Sequence, residues 1–242
     1  MIKKHIPNTI TCFNLISGCL GIIMTLQGKV QYAPYFIGIA AAFDLLDGMV
    51  ARMLHVKSEI GKQLDSLADV VSFGVLPGFI MYQMMLTSNY MPASDKPYNV
   101  FAFVWLLIPV FSALRLARFN VDTRQTTFFI GLPVPANAIF IGSLGLIYFH
   151  DLITGNSNWF THIIGNYYVL SAITILFSYL LLSELRLFSL KMDSLKWEDA
   201  KPQFIWAACT LLFLMLFSYL AIPLSILVYI IVSLVFFKAE AK

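Results

Sequence analysis

Charged residues are scarce in this chain: they make up 12% of 242 residues, where a soluble domain carries roughly 25%. The deficit is uneven along the sequence. Apolar residues, 59% of the total, gather into runs of roughly 17–23, the length a helix needs to cross a bilayer core of about 30 Å. That pattern excludes an ordinary soluble domain and predicts a polytopic membrane protein. Cysteine is sparse too. Cys12, Cys19 and Cys209 all lie inside apolar runs, and an odd number without a spacing pattern excludes a disulfide framework or a zinc site. They are expected to be small buried hydrophobes. Internal repeats and low-complexity segments are missing, so one domain is expected. A cleavage signal is missing as well: the apolar stretch after Met1-Ile-Lys-Lys-His5 is not closed by a small-x-small site, and reads as a retained first helix.

What is present is a set of eight candidate spans, at about 10–26, 33–54, 68–87, 99–119, 128–149, 163–183, 204–220 and 222–237. The last two are separated by a turn near Pro223, and a single re-entrant hairpin is the other reading. The third is weak in hydropathy and carries Gly74, Pro77 and Gly78, which are tolerated at membrane depth where neighbours or a cavity satisfy the backbone. Orientation follows from Lys and Arg. Eight spans put Lys3, Lys4, Arg52, Lys57, Lys62, Arg115, Arg118, Arg124, Arg186, Lys191, Lys196, Lys201, Lys238 and Lys242 on one side, and only Lys29 and Lys96 on the other. Seven spans would strand part of that basic set. Both termini are therefore expected on the cytoplasmic side.

The second expected span holds Asp44-Leu-Leu-Asp47-Gly48-Met-Val-Ala51-Arg52. A carboxylate near the bilayer centre costs about 2.5–3.5 kcal/mol on insertion scales, so two in one span need a reason. At helical spacing Asp44, Asp47, Gly48 and Ala51 share one arc. Gly61, Asp65, Asp69 and Ser72 step by three or four and share a second face. Two helices with a short connection can lay these faces together and gather four carboxylates. Such a cluster repels itself unless cations neutralise it, and one Arg52–Asp69 pair would leave most of it uncompensated. Hard oxygen ligands without histidine or cysteine favour Mg²⁺ or Mn²⁺ over zinc. Two divalent ions would balance four carboxylates, an arrangement that recurs in phosphoryl chemistry. Gly48 and Gly61 leave room for a phosphate to approach the backbone.

These residues fit Asp-x2-Asp-Gly-x2-Ala-Arg-x8-Gly-x3-Asp-x3-Asp at all eight fixed positions: Asp44, Asp47, Gly48, Ala51, Arg52, Gly61, Asp65 and Asp69. The pattern resembles the signature of the CDP-alcohol phosphotransferase family. Ile6-Pro7-Asn8-Thr9, Phe13-Asn14-Leu15, Leu67-Ala-Asp69-Val-Val-Ser72-Phe-Gly74, Ala113-Leu-Arg115-Leu-Ala-Arg118-Phe-Asn120 and Gly131-Leu-Pro133-Val-Pro135 resemble its phosphatidylserine synthase branch. The resemblance covers roughly the first 180 residues. It implies an all-α integral membrane protein with a six-helix family core at 1–183; the span count adds a cytoplasmic connection at 184–203 and a C-terminal helical hairpin of unknown role at 204–242.

The resemblance also implies roles for residues. Asp44, Asp47, Asp65 and Asp69 would ligate two divalent cations, Mg²⁺ or Mn²⁺, with Asp69 also the general base. Gly48, Ala51, Arg52, Gly61 and Asn8 would line the CDP moiety. Arg115, Arg118 and Asn120 would hold the acceptor, although plain positive-inside anchoring also accounts for the two arginines. Pro133 and Pro135 are expected to break the entry to the fifth span. The expected substrates are CDP-diacylglycerol and L-serine, within membrane lipid and without nucleic acid. The expected assembly is a homodimer in the inner (cytoplasmic) membrane, with its active site on the cytoplasmic side. Glycerol 3-phosphate or inositol phosphate as acceptor, and a divalent-cation transporter, are the rival readings.

Overall fold

The chain is described by a computed structural model covering residues 5–56, 58–90, 92, 100–122, 128–156, 158–189 and 200–240. Lys3, Lys4, Lys57, Lys96, Arg124, Lys191, Lys196 and Lys242, used above to assign sides, lie outside those residues. The fold is a bundle of helices: α1 (His5–Leu26), α2 (Ala33–Met53), α3 (Glu59–Asp69), α4 (Leu76–Leu86), α5 (Leu107–Val121), α6 (Val134–Thr154), α7 (Trp159–Ile164), α8 (Tyr167–Leu182), α9 (Lys201–Phe217) and α10 (Ala221–Glu240). Five stretches are long and apolar enough to cross a membrane: His5–Leu26, Glu59–Leu86, Phe103–Val121, Val134–Thr154 and the 37-residue Lys201–Phe237. Of the other expected spans, α2 carries Asp44, Asp47 and Arg52, and α8 is apolar but 16 residues long. The last two expected spans are the arms α9 and α10, which pack on each other as a hairpin.

Polarity is arranged inside out. The buried residues of α1 are Pro7, Thr11, Asn14, Ser17, Gly18, Gly21 and Thr25, while Phe13, Ile16, Leu20 and Ile23 point outward. Small and hydroxylated residues at three- and four-residue spacing let helix backbones approach closely where lipid supplies no hydrophobic drive between helices. Cys12 and Cys19 ride on that outer face as free thiols and Cys209 is half-buried, so the expectation of buried cysteines is corrected. An apolar side chain has no reason to turn inward when its surroundings are as apolar as the core.

The third span is longer at its start than the sequence suggested. Ser58 accepts a hydrogen bond from the Gly61 amide at 3.2 Å and caps α3 at its beginning. The helix then runs through a π-helical turn, Val70–Val75, directly into α4. Pro77 removes the N–H that would bond the Phe73 carbonyl, and the wider turn just before it takes up the mismatch. The turn packs against α1 where side chains are smallest. A Cβ on Gly18 would come within 2.8 Å of the Ser72 Cα.

The fifth expected span starts later than residue 128. Phe128–Ile130 form a short strand, β1, antiparallel to β2 (Arg186–Phe188), with Phe128 opposite Phe188. Gly131 follows at φ +75°, with its amide bonded to the Leu185 carbonyl at 2.8 Å. A Cβ there would also press on the Leu181 carbonyl oxygen, so glycine is required twice over. Pro133 then caps α6 and Pro135 sits in its first turn, where a missing N–H costs nothing. An apolar Phe-Phe-Ile run does not itself distinguish strand from helix. The ribbon ties the segment after α8 to the start of α6, and α10 packs on β2.

Candidate active site

The helix phases set by the sequence bring three carboxylates together. Oxygens of Asp44 and Asp47 on α2 and Asp65 on α3 all lie within 4.8 Å of one another. Asp69, one turn further along α3 and buried, is within electrostatic reach of all three. Its Oδ1 accepts a 3.0 Å hydrogen bond from Asn14 Nδ2. Asn14 is itself held: its carbonyl accepts from Ser72 Oγ at 3.0 Å. Thr11 Oγ1 donates to Asp47 Oδ2 at 2.5 Å. One face of α1 thus orients the second and fourth aspartates, a role the sequence reading did not assign. Its signal was the regular recurrence of small polar residues along an otherwise apolar helix.

The donor set fits divalent cations. Asp65 Oδ1 is buried without a hydrogen-bond partner among the described residues, and a buried acceptor left unsatisfied costs about 1–3 kcal/mol. No basic side chain is hydrogen-bonded or ion-paired to Asp44, Asp47 or Asp65 among the described residues. Carboxylates alone, without imidazole or thiolate, suit Mg²⁺ or Mn²⁺.

A cavity of about 350 Å³ opens beside the cluster, lined among others by Asn8, Asp47, Gly48, Ala51, Gly61 and Asp65. Four of the residues expected around a phosphate-bearing ligand, Asn8, Gly48, Ala51 and Gly61, therefore face one space. Gly48 has nothing within 4 Å of where a Cβ would be, whereas a Cβ on Gly61 would meet Asn8 Oδ1 at 2.9 Å. Arg52 stands on the rim of an adjoining open hollow with His55 and Val56. The two hollows share Ala51 and Val56.

Of the three residues expected at the acceptor, Arg115 and Arg118 line one small recess, which Asn120 does not. Arg115 is buried on α5, 6% exposed, within electrostatic reach of Asp69. Its guanidinium lies 5.1 Å from the centroid of the Phe119 ring. Arg118 instead donates to the Leu182 carbonyl at 3.2 Å and pairs with Glu184. That pair is largely exposed, and such pairs contribute about 0–1 kcal/mol. Asn120 Nδ2 donates to Ser66 Oγ at 2.7 Å, and its carbonyl accepts from Lys62 Nζ at 2.9 Å. Asn120 thereby fastens the end of α5 to α3, one residue beyond Asp65.

Known proteins are similar to this chain in sequence. The chain is 38% identical over 163 residues to a CDP-diacylglycerol–serine O-phosphatidyltransferase of Mycobacterium leprae, covering 64% of this chain and 51% of that protein. A protein of the same name from Bacillus subtilis is 35% identical over 132 residues, 54% of this chain and 70% of its own. An archaetidylserine synthase of Methanothermobacter thermautotrophicus is 35% identical over 151 residues, 60% of each chain. The match thus spans about half the length of the mycobacterial relatives. The family model for CDP-alcohol phosphatidyltransferase matches residues 4–237. Since that match takes in the carboxylate cluster, the cavity beside it and the helices that hold both, this chain belongs to the CDP-alcohol phosphatidyltransferase family.

Proposed function

We propose that this chain transfers the phosphatidyl group of CDP-diacylglycerol to the hydroxyl of L-serine, giving phosphatidylserine and CMP. The observation that carries the reading is the convergence of Asp44, Asp47 and Asp65 beside a cavity edged by Gly48 and Gly61, in a chain whose relatives bear serine-transferase names. Asp44, Asp47, Asp65 and Asp69 hold two divalent cations, Mg²⁺ or Mn²⁺. When bound, these supply charge stabilisation for the pyrophosphate and the departing CMP. Asn8, Gly48, Ala51, Arg52 and Gly61 seat the CDP moiety, and fixed positioning supplies much of the rate. The serine oxygen forms a bond to the phosphorus nearer the diacylglycerol while the bond to the CMP oxygen breaks. Asp69 takes the hydroxyl proton. A carboxylate is a weak base at neutral pH, so it traps the proton late in a loose transition state. Arg115 receives the serine carboxylate, and Asn120 and Arg118 shape the wall beside it.

The cation-rich side of the bundle faces the cytoplasm, eight spans cross the inner membrane, and the active protein is a homodimer. Residues 1–183 form the catalytic core, followed by the connection at 184–203 and the hairpin at 204–242. The acyl chains stay in lipid while the CDP head and serine arrive from the cytosol. The test is CMP release by purified protein in detergent–lipid micelles with CDP-diacylglycerol and Mn²⁺ or Mg²⁺, offering L-serine, glycerol 3-phosphate or inositol phosphate. Serine-dependent release abolished by EDTA is the expected result. Release with a phosphate-bearing alcohol alone overturns serine and keeps the chemistry. No release with any alcohol overturns transfer itself, and divalent-cation flux is then the measurement to make.

A further inference from the structure

The cavity beside the carboxylate cluster is rich in acceptors and poor in cations. Asp47, Glu59 and Asp65 line it, and Lys62 is its one basic residue among the described residues. Two divalent cations offset the four aspartates, which leaves the negative charge of a bound diphosphate to the chain's own cations. Arg52 meets that need from the adjoining hollow, whereas Lys62 lines the cavity itself. α3 sets it there, beside Gly61 and one turn before Asp65, so lysine and carboxylate share a helix face.

The amine is held from a distant element. Lys62 Nζ donates to the Asn120 carbonyl at 2.9 Å, and Asn120 Nδ2 donates to Ser66 Oγ at 2.7 Å, which fastens the end of α5 on this stretch of α3. A carbonyl carries no formal charge. No carboxylate pairs with Lys62 among the described residues, although Glu59 lies one turn before it on the same helix. An ammonium offers three donors, so the Asn120 contact fixes where the amine stands and leaves two for a ligand. Pinning one donor also removes part of the rotamer freedom that a long side chain otherwise loses on binding.

We propose that Lys62 is a binding residue for the nucleotide end of the donor: its ammonium grips the phosphate that leaves with CMP, from a position set by the Asn120 carbonyl. This rests on the CDP-diacylglycerol reading above. Lysine suits the task because a compact ammonium acts as a point charge with rotatable donors and needs no fixed fork alignment. α5 carries Arg115 and Arg118 as well as Asn120, so the proposed donor and acceptor walls meet at this lysine.

The experiment is isothermal titration of CMP into the full chain in detergent–lipid micelles with saturating Mn²⁺, beside steady-state CMP release, for wild type and four variants. Lys62→Gln removes the charge and keeps a donor for the Asn120 carbonyl. It is expected to weaken CMP binding about tenfold, the scale of one charge-assisted hydrogen bond. The KM for CDP-diacylglycerol should rise in step, and the KM for serine should stay in place. Lys62→Arg should restore most of both donor-side losses. Cytidine, which has no phosphate, should bind Lys62→Gln as it binds wild type. Ser66→Ala tests mere fastening of α5 and should leave CMP affinity unchanged. Glu59→Gln removes the nearby opposite charge and should shift CMP affinity by no more than about twofold, since exposed charges without contact contribute little.

Unchanged CMP affinity in Lys62→Gln, a parallel loss of cytidine, no recovery in Lys62→Arg, an equal loss in Ser66→Ala, or a mirror-image gain in Glu59→Gln would each overturn the proposal. If wild type binds CMP but releases none with any alcohol, the transfer reading falls and the binding series alone decides Lys62. If wild type binds no CMP, both fall. Should Lys62→Gln fail to fold, wild type decides: CMP must protect Lys62 from acetylation by acetic anhydride, read by peptide mass spectrometry, and cytidine must not. Equal labelling with and without CMP overturns the assignment.

Discussion

Thr11 and Asn14 show how much of the site is decided by side chains that carry no charge. Each donates one hydrogen bond to an aspartate from a helix that contributes no ligand of its own. Groups that orient metal-binding carboxylates typically shift affinity or activity by 10–100-fold. Thr11→Val is therefore expected to raise the Mn²⁺ concentration needed for half-maximal activity by about tenfold, while Thr11→Ser restores it; a metal titration of CMP release decides. Asp69→Asn should lower kcat by at least about 10². Asn14→Ala should lower it by about 10–100-fold, since a hydrogen bond to a charged group contributes about 1.5–3 kcal/mol. Near wild-type turnover in Asp69→Asn would remove its assignment as base. The aspartates were legible in the sequence because helical periodicity alone fixes which face they share. Arg118 and Asn120 were not: their partners Glu184 and Ser66 stand 66 and 54 residues away, and no local pattern reports a contact of that span.

At the scale of elements, the seam between α1 and the π-helical turn holds Asp69 opposite Asn14. Its tolerance is set by backbone. Gly18→Ala would place a Cβ 2.8 Å from the Ser72 Cα, which only a shift of one helix relieves; overpacking of this kind costs about 1–3 kcal/mol. A lower unfolding temperature and reduced turnover are expected together. Gly48→Ala is the contrasting case, with no atom within 4 Å of the new methyl group. It should fold as wild type and raise the KM for CDP-diacylglycerol, and a fall in thermal stability would show that the space is not a ligand's. The sequence located the helices well, because runs of apolar residues report length and burial. It placed the start of the fifth span too early, since β1 reads as part of the same run. It left the α9–α10 hairpin without a role, because α10 packs on α6 and β2, segments far from it in the chain, and no local pattern reports such packing.

Along the described helices many small and polar side chains face inward and many large apolar ones face outward, so the environment of the bundle and its chemistry are set by one arrangement. The proposed orientation makes a topological prediction. A fluorescent protein fused after Lys242 should light up in the cytoplasm, and alkaline phosphatase at the same position should stay inactive; the reverse pattern would overturn the shared side of the termini. One further consequence follows from α2. Asp47 is buried on its inner face, while Leu45, Leu46 and Met49 are exposed on its outer face, so a single helix separates the carboxylate cluster from the surrounding hydrocarbon. A donor lipid on the proposed reaction path then meets the site by lateral diffusion within the sheet of lipid and never leaves it. The quantity that saturates such a catalyst is the donor's share of the surface. Diluting CDP-diacylglycerol with inert lipid at constant bulk concentration should slow the reaction, and adding more membrane of fixed composition should not.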